Sequence, residues 1–204
     1  SELLHQLGDQ DSGIKRRLMQ ALIHSKNQRE LEQVIFSFEI PISLAVLTHI
    51  TRHRMHSLLV PDFVPLWDMG NYVTPDTVAK NHKEEYDEIF SNNELMVEDF
   101  KKQGVRDEDL VYFYLSGNAC NIYTTMNGRT LEWISRMRCC NKAQWEIRHI
   151  ANSMVEQASK VAPLIGEGLG PYCKVMGYCP EGKESCKARG VVVITKKPKT
   201  EGNK

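Results

Sequence analysis

The chain has 204 residues, enough for one large domain or two small ones, and its 26 Lys plus Arg balance 26 Asp plus Glu to a formal net charge of zero. That balance leaves no global basic field to favour a nucleic-acid polymer or an anionic membrane. No apolar run approaches the length of a transmembrane helix, the N-terminus does not read as a signal peptide, and six cysteines do not make a secreted disulfide scaffold at this length, so a reduced, cytoplasmic setting is expected.

Residues 14–25 read as an amphipathic helix, with Leu18, Leu22 and Ile23 on one face and Asp11 or Ser12 as its cap. Residues 34–40 are rich in β-branched and aromatic side chains and predict a strand. The apolar run 41–47 predicts a buried helix, with Pro41 in its first turn and Leu44, Leu47 and Ile50 at helical spacing. At its end lies His49-Ile50-Thr51-Arg52-His53-Arg54-Met55-His56-Ser57, which packs two arginines and three histidines into nine residues. Buried cations without partners are costly, so such a cluster calls for an anion. A phosphate-bearing ligand meets that need; a solvated helix end, with cations favourably set against the dipole, meets it equally well.

Pro61, Pro65, Pro75 and Asp68-Met69-Gly70-Asn71 mark a loop over 58–76, in which Leu58, Leu59, Phe63 and Trp67 are candidate anchors. Residues 77–103 predict a long polar helix with Tyr86, Ile89, Phe90 and Phe100 on its apolar side and Gly104 as its stop. A short helix over 107–116 and a short strand over 119–126 follow. Asn127-Gly128-Arg129-Thr130 then opens a helix through Leu131, Ile134, Met137 and Arg138. A break at Cys139-Cys140-Asn141 precedes a strong helix over 142–161, with Trp145, Ile150, Met154 and Val155 facing inward. Residues 166–170 end the helical region, and a tail over about 170–204 carries Cys173, Cys179 and Cys186. Residues 190–195 predict a late strand before a Lys-rich end. Helices outnumber strands, so the class is α+β, in one domain spanning 1–204.

Three constellations carry chemistry. His49, His53 and His56 fall at i, i+4 and i+7 and would share one helix face, but the Glu of a His-Glu-x-x-His motif is missing and no metal is assigned. Cys173-x5-Cys179-x6-Cys186 is wider than a zinc knuckle and lacks an obvious fourth ligand, which Cys139, Cys140 or a partner chain could supply; separate thiols are expected in preference to zinc. Asn127-Gly128-Arg129, together with Arg138, makes either an anion site at a helix N-terminus or an Asn cap beside ordinary surface arginines.

Taken together, these residues resemble the flavin-dependent thymidylate synthases, the ThyX family. Arg52-His53-Arg54-x-x-Ser57 after a strand and an apolar helix resembles that family's signature. Asn127-Gly128-Arg129-Thr130-Leu131, then Arg138, then Ala143-Gln144-Trp145-Glu146-Ile147-Arg148, resembles its C-terminal block. The resemblance covers most of 14–186 and implies a helix-rich α+β fold, with a mixed sheet packed with helices, in a homotetramer whose sites are shared between subunits. It also implies FAD, with NADPH and methylenetetrahydrofolate as co-substrates, and a nucleotide substrate, dUMP or a related pyrimidine nucleotide. By motif position Arg52, His53, Arg54, Met55, Asn127, Arg129 and Lys142 would bind the cofactor, Asn127 and Arg129 from a neighbouring subunit. His49 would bind substrate, and Arg138 would hold the pyrimidine ring and favour its anionic form, an electrostatic catalytic role.

The chain also departs from the family pattern. Where the signature continues with polar groups this chain has Leu58-Leu59-Val60-Pro61-Asp62-Phe63-Val64-Pro65, with Val60 for the usual Glu, Asp62 for the Ser and Val64 for the phosphate-binding Arg. The family's Gln upstream of Arg-His-Arg is His49, its early His-x-Ser/Thr is Asn27-Gln28-Arg29, and its late His is Lys142. The chain opens at Ser1 without a methionine, which suggests a missing upstream piece. Three expectations remain open: an active flavoprotein, a degenerate half that completes sites on an intact partner domain, and a non-catalytic protein of the same fold.

Overall fold

A computed structural model describes residues 12–62 and 68–186. The expected late strand over 190–195, the Lys-rich end, Asp11, Phe63, Val64, Pro65 and Trp67 lie outside them. Two compact units are present: residues 37–125 form one, and residues 12–36 with 126–186 form the other.

The unit of residues 37–125 is built on a three-stranded sheet in the order β1-β3-β2, with β1 Ile35–Ser43, β2 Ser57–Leu59 and β3 Ala119–Asn127. Strand β2 pairs antiparallel with β3, Ser57 opposite Thr125 and Leu59 opposite Tyr123. Next to β1, the Leu44 amide donates to the Asn118 carbonyl at 2.9 Å, and the Ser37 and Thr125 hydroxyls meet at 2.9 Å. Residue numbers therefore rise along β1 as they fall along β3, and the sheet is antiparallel rather than mixed. The strand at Ser57–Leu59 replaces the start of the expected loop.

Pro41 lies inside β1 instead of opening a helix. Its missing amide is tolerated because β1 is an edge strand, and the β-branched Ile40 and Ile42 on either side favour extended backbone. Helix α2 (Leu44–Ile50) starts three residues later than expected, after its N-cap Ser43, whose side chain accepts from the Val46 amide at 3.3 Å. Its inward face is Val46 and Ile50, both essentially fully buried.

The expected long polar helix is two, α3 Asp76–Asn81 and α4 Lys83–Lys102, parted at His82. Gly104 ends α4 as foreseen. Its φ of +80° permits the left-handed turn in which the Val105 amide reaches back to the Phe100 carbonyl. Phe90 and Val97 are the buried residues of α4, while Ile89, assigned to the apolar side, is exposed. Tyr72 stacks on Phe90 with ring centroids 4.1 Å apart. The expected helix over 107–116 is α5 Asp107–Leu110 followed by a 3₁₀ turn, Val111–Phe113. Before β3, the fully buried Asn118 accepts from the Leu115 amide and donates to the Met69 carbonyl, which anchors the 68–72 turn.

The other unit contains α1 (Ser12–Ile23), a 3₁₀ turn (Arg29–Gln33), α6 (Gly128–Arg138), α7 (Trp145–Val161), α8 (Pro163–Gly166) and α9 (Tyr172–Met176). Helix α6 begins where the sequence places it, with the Asn127 side chain accepting from the Thr130 amide at 2.9 Å. Helix α7 begins at Trp145 because Gln144 caps it, accepting from the Ile147 amide at 3.0 Å. The buried face of α7 is Ile147, Ile150, Ala151, Met154 and Ala158. Trp145 stands two residues before Ile147, off that stripe, and is 38% exposed rather than inward-facing. Leu18 of α1 is likewise exposed, and α9 carries helical structure into the tail. Among the described residues no helix is long and apolar enough to cross a membrane.

Candidate functional site

The predicted site residues fall in both units. His49, Arg52, His53, Arg54 and Met55 belong to residues 37–125, and Asn127, Arg129, Arg138 and Lys142 belong to the other unit.

Helix α2 ends at Ile50, so His53 and His56 lie beyond it and the three histidines share no helix face. Thr51 is the C-cap, and the turn closes with the His53 amide donating to the Ile50 carbonyl at 3.0 Å. His56 fixes the far end of the turn. Its Nδ1 lies 2.7 Å from the Thr124 hydroxyl and its Nε2 3.3 Å from the Ile50 carbonyl. Thr124 itself donates to the Ser57 carbonyl at 2.9 Å, so the same hydroxyl ties the His56 ring to the first residue of β2. His56 is thus a bracket between α2 and β3, not a ligand. The bracket holds a short loop on which Arg52, Arg54 and Met55 are exposed and His53 is half-buried. Arg52 and Arg54 have no hydrogen bond or ion pair with any of the described residues.

In the other unit, Asn127 is an N-cap, which was one of its two readings. Gly128 follows with its amide 2.7 Å from the Val34 carbonyl, and a Cβ there would stand 2.9 Å from the Leu31 carbonyl oxygen. This close approach seats the start of α6 against the 3₁₀ turn. From the first turn of α6, Arg129 pairs with Glu32 of that turn.

One turn further on, Glu132 is 3% exposed and pairs with Arg136 at i+4. Burial pushes the Glu132 carboxyl above its ordinary value, against the opposing pull of Arg136, the Gln28 amide and Arg129. Gln28 is buried. Its side-chain amide donates to the Ile23 carbonyl at 2.8 Å and to Glu132 at 3.3 Å. The Arg136 guanidinium lies 5.6 Å from the Tyr172 ring centroid. The Tyr172 hydroxyl meets that of Tyr178 at 2.6 Å, and burial, then that hydrogen bond, pushes it up to about 12. Sequence reading missed this group, although Glu132 and Arg136 stand at helix-pair spacing.

Arg138 is half-buried at the end of α6, where the chain turns toward α7. It lines a cavity of about 260 Å³ whose walls are residues 136–143 and residues of the tail. Lys142 lines the same cavity, with its ammonium 3.7 Å from the Glu184 carboxylate. The fold therefore brings together Arg138 and Lys142, as it does Arg52, His53, Arg54 and Met55.

A family model described as thymidylate synthase complementing protein matches residues 2–164. A flavin-dependent thymidylate synthase of Clostridium tetani is 33% identical over 195 residues, covering 83% of this chain and 76% of the relative. One from Thermococcus onnurineus is 30% identical over 195 residues, covering 90% and 78%. Another, from Nitratidesulfovibrio vulgaris, is 30% identical over 176 residues, covering 80% and 71%.

Proposed function

Because the chain belongs to the thymidylate synthase complementing protein family, we propose that it is a flavin-dependent methyltransferase acting on a pyrimidine nucleotide, dUMP in the first instance. FAD would supply the hydride chemistry, with NADPH as reductant and methylenetetrahydrofolate as one-carbon donor. The observation that carries this reading is the bracketed loop, which presents two guanidiniums to solvent without partners among the described residues. That donor set fits a phosphate-bearing cofactor, since guanidinium gives bidentate hydrogen bonds to phosphate oxygens.

In this reading Arg52 and Arg54 bind the cofactor phosphates. His53 and Met55 contact the cofactor from the same turn, and Asn127, Arg129 and Lys142 add contacts, Asn127 and Arg129 from a neighbouring copy in a homotetramer. Release of Arg129 from Glu32 would accompany that contact. Arg138 holds the pyrimidine ring and stabilises negative charge developing on it, and His49 completes the substrate contacts. A cytoplasmic setting accords with six cysteines that are all free thiols.

A second reading rests on the segment after β2. Val60 and Asp62 stand where the family motif has Glu and Ser, and an aspartate repels a phosphate. On that reading the chain completes sites on an intact partner domain. Turnover separates the two. The purified chain, given FAD, NADPH, methylenetetrahydrofolate and dUMP, forms dTMP if the first reading holds. If it binds FAD but forms no dTMP alone, and turns over when mixed with an intact family member inactivated at its own pyrimidine-binding arginine, the second holds.

A further inference from the structure

Five of the six cysteines line one cavity. Cys139, which is buried, and Cys140 lie in the link between α6 and α7, and Cys173, Cys179 and Cys186 come from the tail. The positive φ of Gly177 (75°) ends α9 and reverses the chain, so that Cys173 before it and Cys179 after it line the same space. Cys140, Cys173 and Cys179 are half-buried and Cys186 is exposed, so reagents can reach them. Arg136, Arg138, Lys142 and Glu181 share the walls, and solvent access is one condition for a cysteine to react. Cys120 offers the contrast: it is buried, and burial pushes its thiol up to about 11.

Several contacts among the described residues hold the tail there. Among them are the Gly170 amide donating to the Ser135 hydroxyl at 3.0 Å, the Arg136 guanidinium over Tyr172 and the Lys142–Glu184 pair, while the Tyr172–Tyr178 hydroxyl pair closes the tail on itself. Among the described residues, no three of the sulfurs group as a metal's ligands would. They surround a space and do not converge on a point.

We infer that this cavity is an oxidative modification site, at which a hydroperoxide joins Cys140 to a tail cysteine and fastens the tail across the walls that carry Arg138 and Lys142. The step balances. Two thiols lose two protons and two electrons, the O–O bond of hydrogen peroxide takes them up and breaks to two waters, and one S–S bond forms. A thiol first oxidised to its sulfenic acid is then attacked by the second.

The test is a non-reducing peptide map of the full chain after brief exposure to hydrogen peroxide. The expected result is a cross-link between the Cys140 peptide and a tail peptide, absent from Cys140→Ser and reversed by dithiothreitol. Cys120→Ser should leave the cross-link intact. A second set, Cys173→Ser, Cys179→Ser and Cys186→Ser singly, identifies the tail partner and keeps the test decisive should Cys140→Ser fold poorly. Oxidation confined to sulfinic acids, a disulfide within the tail alone, or native mass spectra showing these thiols bound to zinc would each overturn the inference. None of these readouts depends on flavin binding or turnover, so the site stands or falls apart from the proposed function.

Discussion

Arg52 and Arg54 reach solvent from a loop fixed at one end by the His53–Ile50 main-chain bond and at the other by His56 between Ile50 and Thr124. Arg52→Ala should therefore weaken flavin binding at least tenfold while leaving the unfolding midpoint nearly unchanged, and His53→Ala should also weaken flavin binding, read by FAD titration alongside a melt. Glu132 behaves differently because its partner is structural. Arg136→Met removes one member of a buried pair, which costs about 3–5 kcal/mol. The cost depends on pH in a fixed direction. The Glu132 carboxyl is raised above its unfolded value, so its contribution to stability is fully present below the ordinary carboxylate value and is lost as pH rises through the raised one. Without Arg136 that rise is larger, so urea unfolding should find Arg136→Met least impaired near pH 5 and most impaired near pH 8. The sequence shows the spacing of this pair but not its burial, because i, i+4 charges look the same on a solvated face. His56 was misread for a related reason: helical spacing was carried past Ile50, where the helix has already stopped.

At the scale of elements, two boundaries were legible, while the starts capped by Ser43 and Gln144 were not. Asn127 announces α6, and Gly104 ends α4 through its positive φ. Asn127→Ala should cost about 1 kcal/mol by losing the bond to the Thr130 amide, and Asn127→Ser should recover most of it in a denaturant melt. If Asn127 also contacts the cofactor, Asn127→Ser will be stable yet still weak in FAD. Gly128→Ala tests the close approach behind that cap. Its Cβ would stand 2.9 Å from the Leu31 carbonyl oxygen, a backbone atom that has little room to move, so a loss of about 1–3 kcal/mol is expected. Less legible were elements whose local signals conflict. Pro41 reads as a helix start, yet the edge of a sheet accepts it, and only the pairing order reveals which strand is the edge. Strand β2 has three residues and is defined by its partner β3, a relation that no local pattern encodes.

For the whole molecule, the family was legible because two motif blocks stand far apart in the chain and agree, and the match over residues 2–164 bears that out. The α+β class was legible from the balance of helical and strand patterns. The antiparallel arrangement of the sheet was not, since pairing direction is a tertiary property. The gathering of Cys139 and Cys140 with the tail thiols was open in the sequence only as one source of a fourth ligand; the fold places them, more than thirty residues apart in the chain, around one cavity. The central claim is that the bracketed arginine loop serves a flavin. The most direct measurement is the visible absorption spectrum of the purified chain, before and after addition of FAD, followed by NADPH. The account predicts bound flavin whose bands bleach on reduction, and loss of that binding in Arg52→Ala. A folded, colourless protein whose spectrum is unchanged by FAD would contradict it.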